Sequence, residues 1–298
     1  MKILITTCGG SLAPALARRL ADHDARVVDW EVTDDDAFVA KLLEAAPDVV
    51  IHAAELPGFA ACEAARDEAF RINEDGSRTV ALACKICGAR LIMISTEAVF
   101  SGEPPRTPWA WGEGDIPRPR TVYGLSKYAG EQMVQMIHPD ESVVLRAGWL
   151  YGADEGDVLE ELIRQGAAEA AGALRLPNDR FGNPTSVQVL VEVIRFLLAH
   201  RDVSGVVHAS CEDQCTWCDF ANELKRLLGE RFPREIEPCT TEGDPEAALL
   251  PRHVALKKSV LNVLGYRTPN WRQALAAAVE EREGFYGDRP QNNFQKKG

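Results

Sequence analysis

The chain has 298 residues, 46% of them hydrophobic and 26% charged, with a formal net charge of -12. That is enough chain for one large domain or two, each with a substantial core. The acidic balance and the absence of a basic stripe argue against nucleic acid as a partner. No apolar run approaches the roughly 20 residues of a membrane span, and no secretory leader is evident, so a cytoplasmic enzyme is expected.

The predicted elements run strand, helix, strand, helix through the first half. KILITT reads as a strand, Ser11 to Leu20 as a helix and ARVVDW as a second strand. Thr33-Asp-Asp-Asp36 opens the next helix with a near capping box. DVVIHAA is a buried strand, followed by helical text from Cys62 to Cys87. ARLIMIS is the next strand, Val122 to Ile137 a helix and SVVLRA a strand. Continuous apolar strands between amphipathic helices imply a parallel sheet covered on both faces. The fold class is therefore α/β, a Rossmann-like doubly wound parallel sheet with a smaller C-terminal substrate-binding lobe.

The expected division is 1–150 for the dinucleotide-binding core and 151–284 for the lobe, partly interwoven with that core. A disordered tail is expected over 285–298. Gly102 to Arg120 holds five prolines and two tryptophans, Trp109 and Trp111, and reads as a long irregular loop.

Of the eight cysteines, Cys84-x-x-Cys87 and Cys211-x-x-x-Cys215-x-x-Cys218 have spacings that suggest chemistry. The second matches an iron–sulfur signature. The first pair fits the buried face of a helix and the second group a strand-to-helix turn, so buried or free thiols are the preferred reading and no metal is expected.

Two local patterns point to a site. Thr7-Cys8-Gly9-Gly10-Ser11-Leu12-Ala13 sits between the first strand and helix, where a dinucleotide-binding loop would lie. Only the middle of a G-x-x-G-x-x-G spacing survives, because Thr7 and Ala13 occupy the outer glycine positions. Gly9, Gly10, Ser11 and Leu12 are the residues expected to meet a pyrophosphate. Asp29, 19 positions after Gly10, is placed to bond adenosine ribose hydroxyls, which weakly favours NADH over NADPH.

The second pattern is Tyr123-Gly-Leu-Ser-Lys127. Residues four apart share a helix face, so phenol and ammonium can serve one site, with the cation lowering the phenol pKa. Ser95 and Thr96 fall at the carboxyl end of a buried strand, where doubly wound sheets present functional side chains. His52 reads as a packed strand residue.

Several ordered segments together carry a resemblance: PDVVIHAA, FRINEDGSRTVALAC, GARLIMISTEAVFSG, VYGLSKYAGEQ, VVLRAGWLYG and DRFGNPTSV. They resemble the dTDP-4-dehydrorhamnose reductase family of the extended short-chain dehydrogenase/reductase superfamily, over about residues 1 to 282. The resemblance implies an NAD(P)H-dependent reductase of a nucleotide-linked 4-keto-6-deoxy sugar. It implies Thr96, Tyr123 and Lys127 as the catalytic trio. Tyr123 would supply the proton, Lys127 would orient the nicotinamide ribose and Thr96 would bond the carbonyl oxygen. Ala53, Ala54 and Ser95 would line the cofactor, and Asn73 would support the active-site backbone. Glu97, Trp149, Arg180 and Asn183 would face the substrate. A homodimer is compatible with the resemblance.

The departures keep two other readings open. An epimerase or dehydratase of the same superfamily would use the same Tyr and Lys. A non-catalytic regulatory subunit, like the methionine adenosyltransferase subunit related to this family, would account for the worn glycine motif.

Overall fold

In the computed structural model, residues 1–102, 110–153, 157–168, 172–243 and 250–287 are described. Six strands form one parallel sheet: β1 (Lys2–Thr6), β2 (Asp24–Val28), β3 (Val49–His52), β4 (Arg90–Thr96), β5 (Ser142–Ala147) and β9 (Gly205–Ala209). Their order is β2-β1-β3-β4-β5-β9. Every residue of β3, β4 and β5 is buried, as the apolar runs at their centres require of a sheet covered on both sides. β2 lies at the edge and is half exposed.

One face of the sheet packs on α1 (Leu12–Arg19) and α8 (Val187–Ala199), with Ile3, Ile5, Leu16, Ile92, Leu145 and Ile194 in the core. The other face packs on α2 (Asp35–Ala45) and α5 (Gly76–Cys87) through Leu4, Phe38, Leu42, Val80 and Met93. α2 starts where the acidic run predicts, with the Asp34 side chain accepting from the Ala37 amide. The helical text before α5 divides into α3 (Phe59–Ala64), α4 (Arg66–Phe70) and a π-helical turn, Arg71–Asp75.

Beyond β5 the chain makes two small parallel sheets, pairing β6 (Leu150–Tyr151) with β8 (Thr185–Ser186) and β7 (Leu174–Pro177) with β10 (Ile236–Cys239). They surround a separate apolar cluster built on Tyr151, Leu159, Phe220, Leu224, Phe232 and Trp271. α7 (Val158–Ala167), α9 (Trp217–Leu228) and the last helix, Trp271–Gly287, supply most of it. This half also returns β9 and α8 to the main sheet, so the two parts are woven together. Residues 288–298, most of the segment expected to be a disordered tail, lie outside the described residues, while 285–287 continue the last helix.

Strand order reverses between β1 and β3, since the chain moves to one side for β2 and to the other for β4 onward. A crevice at such a reversal, outside the carboxyl ends of the strands, is where an open α/β sheet binds ligands. The loops that leave β1, β3 and β4 there carry Thr7–Gly10, Ala53–Glu55 and Glu97.

Candidate active site

The loop after β1 reaches α1 through Gly9 and Gly10, at φ +98° and +85°, a backbone that glycine adopts freely. A Cβ placed on either glycine would meet nothing within 4 Å, so the face they present is open. Thr7 holds the turn: its Oγ1 accepts from the Gly9 amide at 3.0 Å and donates to the Gly9 carbonyl at 2.8 Å. Ala13 is buried in the core, its extra methyl accommodated. Ser11 makes no side-chain cap at the start of α1, which leaves the amides of the helix's first turn uncapped by a side chain. Leu12 packs on the core, and Asp29 is exposed just past the end of β2.

The loop after β3 is fixed from three sides. Thr6 Oγ1 contacts His52 Nδ1 at 2.8 Å and accepts from the Ala54 amide. His52 Nε2 meets Ser77 Oγ at 3.2 Å, and burial pushes the imidazole pKa down to about 3, so it packs as a neutral ring. Asn73 bridges further out. Its Oδ1 accepts from the Leu56 amide at 2.8 Å, and its Nδ2 donates to Ser126 Oγ at 2.9 Å and to the Leu56 carbonyl.

The Tyr-x-x-x-Lys segment lies at the start of α6 (Val122–Ile137), where Thr121 caps the Gly124 amide. Two close approaches seat this helix. A Cβ on Gly124 would fall 2.2 Å from the Ala98 carbonyl oxygen, and one on Gly130 2.2 Å from that of Asn73. Tyr123 stacks edge-on against Phe59, with ring centroids 5.4 Å apart. Lys127 is 2% exposed; its Nζ donates to the Ile94 carbonyl at 2.8 Å and pairs with Glu55 Oε2 at 2.8 Å. Glu55 also accepts from Tyr123 Oη at 3.4 and 3.5 Å.

This geometry corrects one expectation. Lys127 was expected to lower the phenol pKa, but the Tyr123 pKa lies well above the usual value. Burial is the main cause, and the Glu55 and Glu97 carboxylates add to it. The ammonium's charge is answered by Glu55, so Tyr123 stays a protonated acid.

Thr96, at the end of β4, donates to Glu97 Oε2 at 3.1 Å and accepts from the Ala98 amide. Removal from water pushes the Glu97 pKa up to about 7 against the pull of its hydrogen bonds. The fold thus gathers Thr96, Glu97, Tyr123 and Lys127 with Glu55, which sequence reasoning missed. Glu55 follows the expected Ala53-Ala54 pair directly, and nothing in its own neighbourhood marks it.

Other predicted residues are placed differently. The Ser95 hydroxyl donates to Glu131 Oε1 at 2.5 Å, inside a buried ion pair with Arg146. Arg180 binds the backbone carbonyls of Leu250 and Pro251. Asn183 spends its amide on backbone, donating to the Asp213 carbonyl and accepting from the Leu256 amide. It lines a cavity of about 350 Å³ together with Asp213, Lys257, Lys258 and Asn262; Thr96, Tyr123 and Lys127 are not among the lining residues. The two regions meet at Gly148, where a Cβ would contact Glu97 Oε2 at 3.5 Å and the Asn183 carbonyl at 3.6 Å.

Trp149 takes φ +41° and stacks on Trp217 at 4.3 Å. Trp111 is a packing anchor, stacked on Phe100 at 4.6 Å and bridged to Leu256, while Trp109 lies outside the described residues. Cys84, Cys211, Cys215 and Cys218 are buried thiols. Among the described residues no group of three or more His, Cys, Asp or Glu side chains is gathered to hold a metal, and no described helix is long and apolar enough to cross a membrane.

A family profile described as the RmlD substrate binding domain matches residues 1–283. The chain is 29% identical to the spore coat polysaccharide biosynthesis protein SpsK of Bacillus subtilis, over 94% of this chain and 98% of that one. It is 32% identical to a dTDP-4-dehydrorhamnose reductase of Streptomyces griseus, over 91% of each. Among solved structures, a dTDP-4-dehydrorhamnose reductase from Bacillus anthracis in complex with NADP superposes with a TM-score of 0.85 at 29% identity. That superposition covers 94% of this chain and 98% of the other.

Proposed function

The chain belongs to the family of the RmlD substrate binding domain, and from that premise we propose that it reduces the 4-keto group of a dTDP-linked 6-deoxy sugar with a nicotinamide cofactor. The observation that carries the reading is the convergence of Thr96, Tyr123 and Lys127 at the strand ends, beside an open glycine loop.

The chain's own residues fit the cofactor. Gly9 and Gly10 leave backbone room for a pyrophosphate, and the uncapped start of α1 offers amide donors to its charge. Asp29, exposed past β2, together with Glu31, favours adenosine ribose hydroxyls over a 2′-phosphate, which supports NADH. Ala53 and Ala54 would flank the nicotinamide end. A reduced nicotinamide supplies a hydride to the carbonyl carbon. Thr96 would donate a hydrogen bond to the carbonyl oxygen, and Tyr123, held protonated, would give that oxygen its proton. Glu97 and Trp149 would face the sugar, with Arg180 and Asn183 shaping the nucleotide end through the backbone segments they hold. The homodimer, the lack of a nucleic-acid partner and a cytoplasmic location belong to the same proposal.

The test pairs cofactor titration with turnover. Either NADH or NADPH should bind saturably, followed by tryptophan fluorescence, and dTDP-4-keto-6-deoxy sugar should oxidise the bound reductant. Tyr123→Phe should lower kcat by at least about 100-fold while leaving cofactor affinity within about twofold. Full turnover in that variant would refute the assignment.

A further inference from the structure

Glu55 fills the gap between the two side chains that the Tyr-x-x-x-Lys spacing brings to one face. Its carboxylate oxygens lie 3.4 and 3.5 Å from Tyr123 Oη, and Oε2 lies 2.8 Å from Lys127 Nζ. Lys127 is 2% exposed and Glu55 27%, so of this ion pair the carboxylate is the side that meets water. Its backbone is not free to wander. The next residue, Leu56, has both its amide and its carbonyl bound by the buried Asn73, and the preceding Ala54 amide is bound by Thr6. Asn73 also binds Ser126, which in turn donates to the Tyr123 carbonyl. One hydrogen-bonded frame therefore sets the distance between Glu55 and the phenol.

A carboxylate that touches a half-buried proton donor on one side and solvent on the other has the geometry of a proton carrier. We propose that Glu55 is a further catalytic residue, carrying protons between solvent and the Tyr123 hydroxyl. This rests on the reading of Tyr123 as the proton donor.

Reduction of a carbonyl consumes one hydride and one proton. With the hydride supplied by the reduced nicotinamide, the substrate oxygen takes the Tyr123 proton; the phenol O–H bond breaks and the alcohol O–H bond forms. The phenolate left behind lies half-buried within 3.5 Å of the Glu55 carboxylate, a position in which its negative charge is unstable. Glu55 takes a proton from hydronium at its exposed edge and passes it to Tyr123 Oη, returning to the carboxylate that pairs with Lys127. One hydride and one solvent proton enter the product, and the three side chains end as they began. Lys127, held by the Ile94 carbonyl, stays fixed throughout as the countercharge that Glu55 leaves and rejoins.

The experiment compares wild type, Glu55→Ala, Glu55→Gln and Tyr123→Phe in reduction of dTDP-4-keto-6-deoxy sugar, with cofactor affinity measured separately by tryptophan fluorescence. Both Glu55 variants should lose about tenfold or more in kcat, with KM and cofactor affinity within about twofold. Added formate or acetate should restore at least about threefold in Glu55→Ala, where the side chain's volume is vacated, and nothing in the near-isosteric Glu55→Gln. A merely structural loss would not respond to a small acid. Unchanged kcat in Glu55→Ala, a loss that neither acid relieves, or a cofactor affinity that falls as far as kcat would each overturn the relay. If Tyr123→Phe is inactive, such a result removes the relay alone. If Tyr123→Phe retains turnover, or wild type reduces no such sugar, the underlying reading falls and the relay with it.

Discussion

The Thr7 hydroxyl and the Gly9 peptide close a turn on each other, with Oγ1 3.0 Å from the Gly9 nitrogen and 2.8 Å from its carbonyl oxygen. The turn a first glycine would make by conformational freedom is made here by a side chain, and the open backbone is moved onto Gly9 and Gly10.

Thr7→Val keeps the branched shape and removes both bonds. A lost hydrogen bond of this kind is worth about 0.5–1.5 kcal/mol, so cofactor affinity should weaken by roughly 2–10-fold with the fold unchanged. Fluorescence titration against a circular dichroism control measures this. Unchanged affinity would mean that the glycines hold the loop unaided.

Glu97 makes stability depend on pH in a direction opposite to that of carboxylates held by cations, such as Asp22 beside Arg195. Its pKa is raised from the ordinary 4.5 to about 7, so the folded chain binds its proton more tightly than the unfolded one. That contribution is complete below about 4.5 and is lost as pH rises through about 7. Glu97→Gln is neutral throughout and lacks it. The stability of wild type relative to Glu97→Gln should therefore fall by about 1–3 kcal/mol between pH 4.5 and 8. Urea melts at the two ends of that range decide it. A flat difference would mean that the fold does not hold the Glu97 proton more tightly than the unfolded chain.

How far the sequence could be read depended on how local the cause was. The helix from Val122 to Ile137 was set by periodicity and turns next to it, and its limits agree with the structure. The helical reading from Cys62 to Cys87 is interrupted at Ala65, at φ -135° and ψ 60°, and carries a π-helical turn over Arg71–Asp75, where the Asn73 side chain reaches out to Leu56. Neither leaves a periodic trace.

The same holds within the site. Tyr123 and Lys127 announce themselves by spacing four apart on a helix. Glu55 lies 68 positions from Tyr123 and meets it only because β3 and β4 are neighbours and Asn73 pins the intervening loop. Ser95 shows the reverse. Its strand position was legible, but the alternation that aims its hydroxyl at Glu131 is decided by which face α6 covers.

Trp149 takes an unfavourable backbone conformation, φ +41°, and its ring packs against both Trp217 and Gly182. Trp217 stacks at 4.3 Å with 7° between planes, and a Cβ on Gly182 would intrude to 2.6 Å. Gly182→Ala must displace the indole. If Trp149 faces the sugar, KM for the sugar nucleotide should rise about tenfold with kcat within about threefold and cofactor affinity unchanged. Steady-state kinetics with the cofactor saturating separate these. An unmoved KM would assign the ring to packing alone.

Arg146 and Glu131 form an ion pair 3% and 1% exposed, with Nη2–Oε2 at 2.6 Å, directly behind the strand that ends in Thr96. Ser95 adds a hydrogen bond to the carboxylate, and the guanidinium lies over the Phe100 ring at 5.2 Å. Removing one partner strands the other's charge away from water. Glu131→Ala should therefore cost about 3–5 kcal/mol. Removing both charges has a different sign of argument, because the cost of burying them disappears with the attraction. Glu131→Leu combined with Arg146→Met should recover most of that loss, ending within about 1–2 kcal/mol of wild type. Urea denaturation of the three proteins tests the pair. A double variant as unstable as Glu131→Ala would mean that the hydrogen bonds and ring contact, not the balanced charge, hold this part of the sheet.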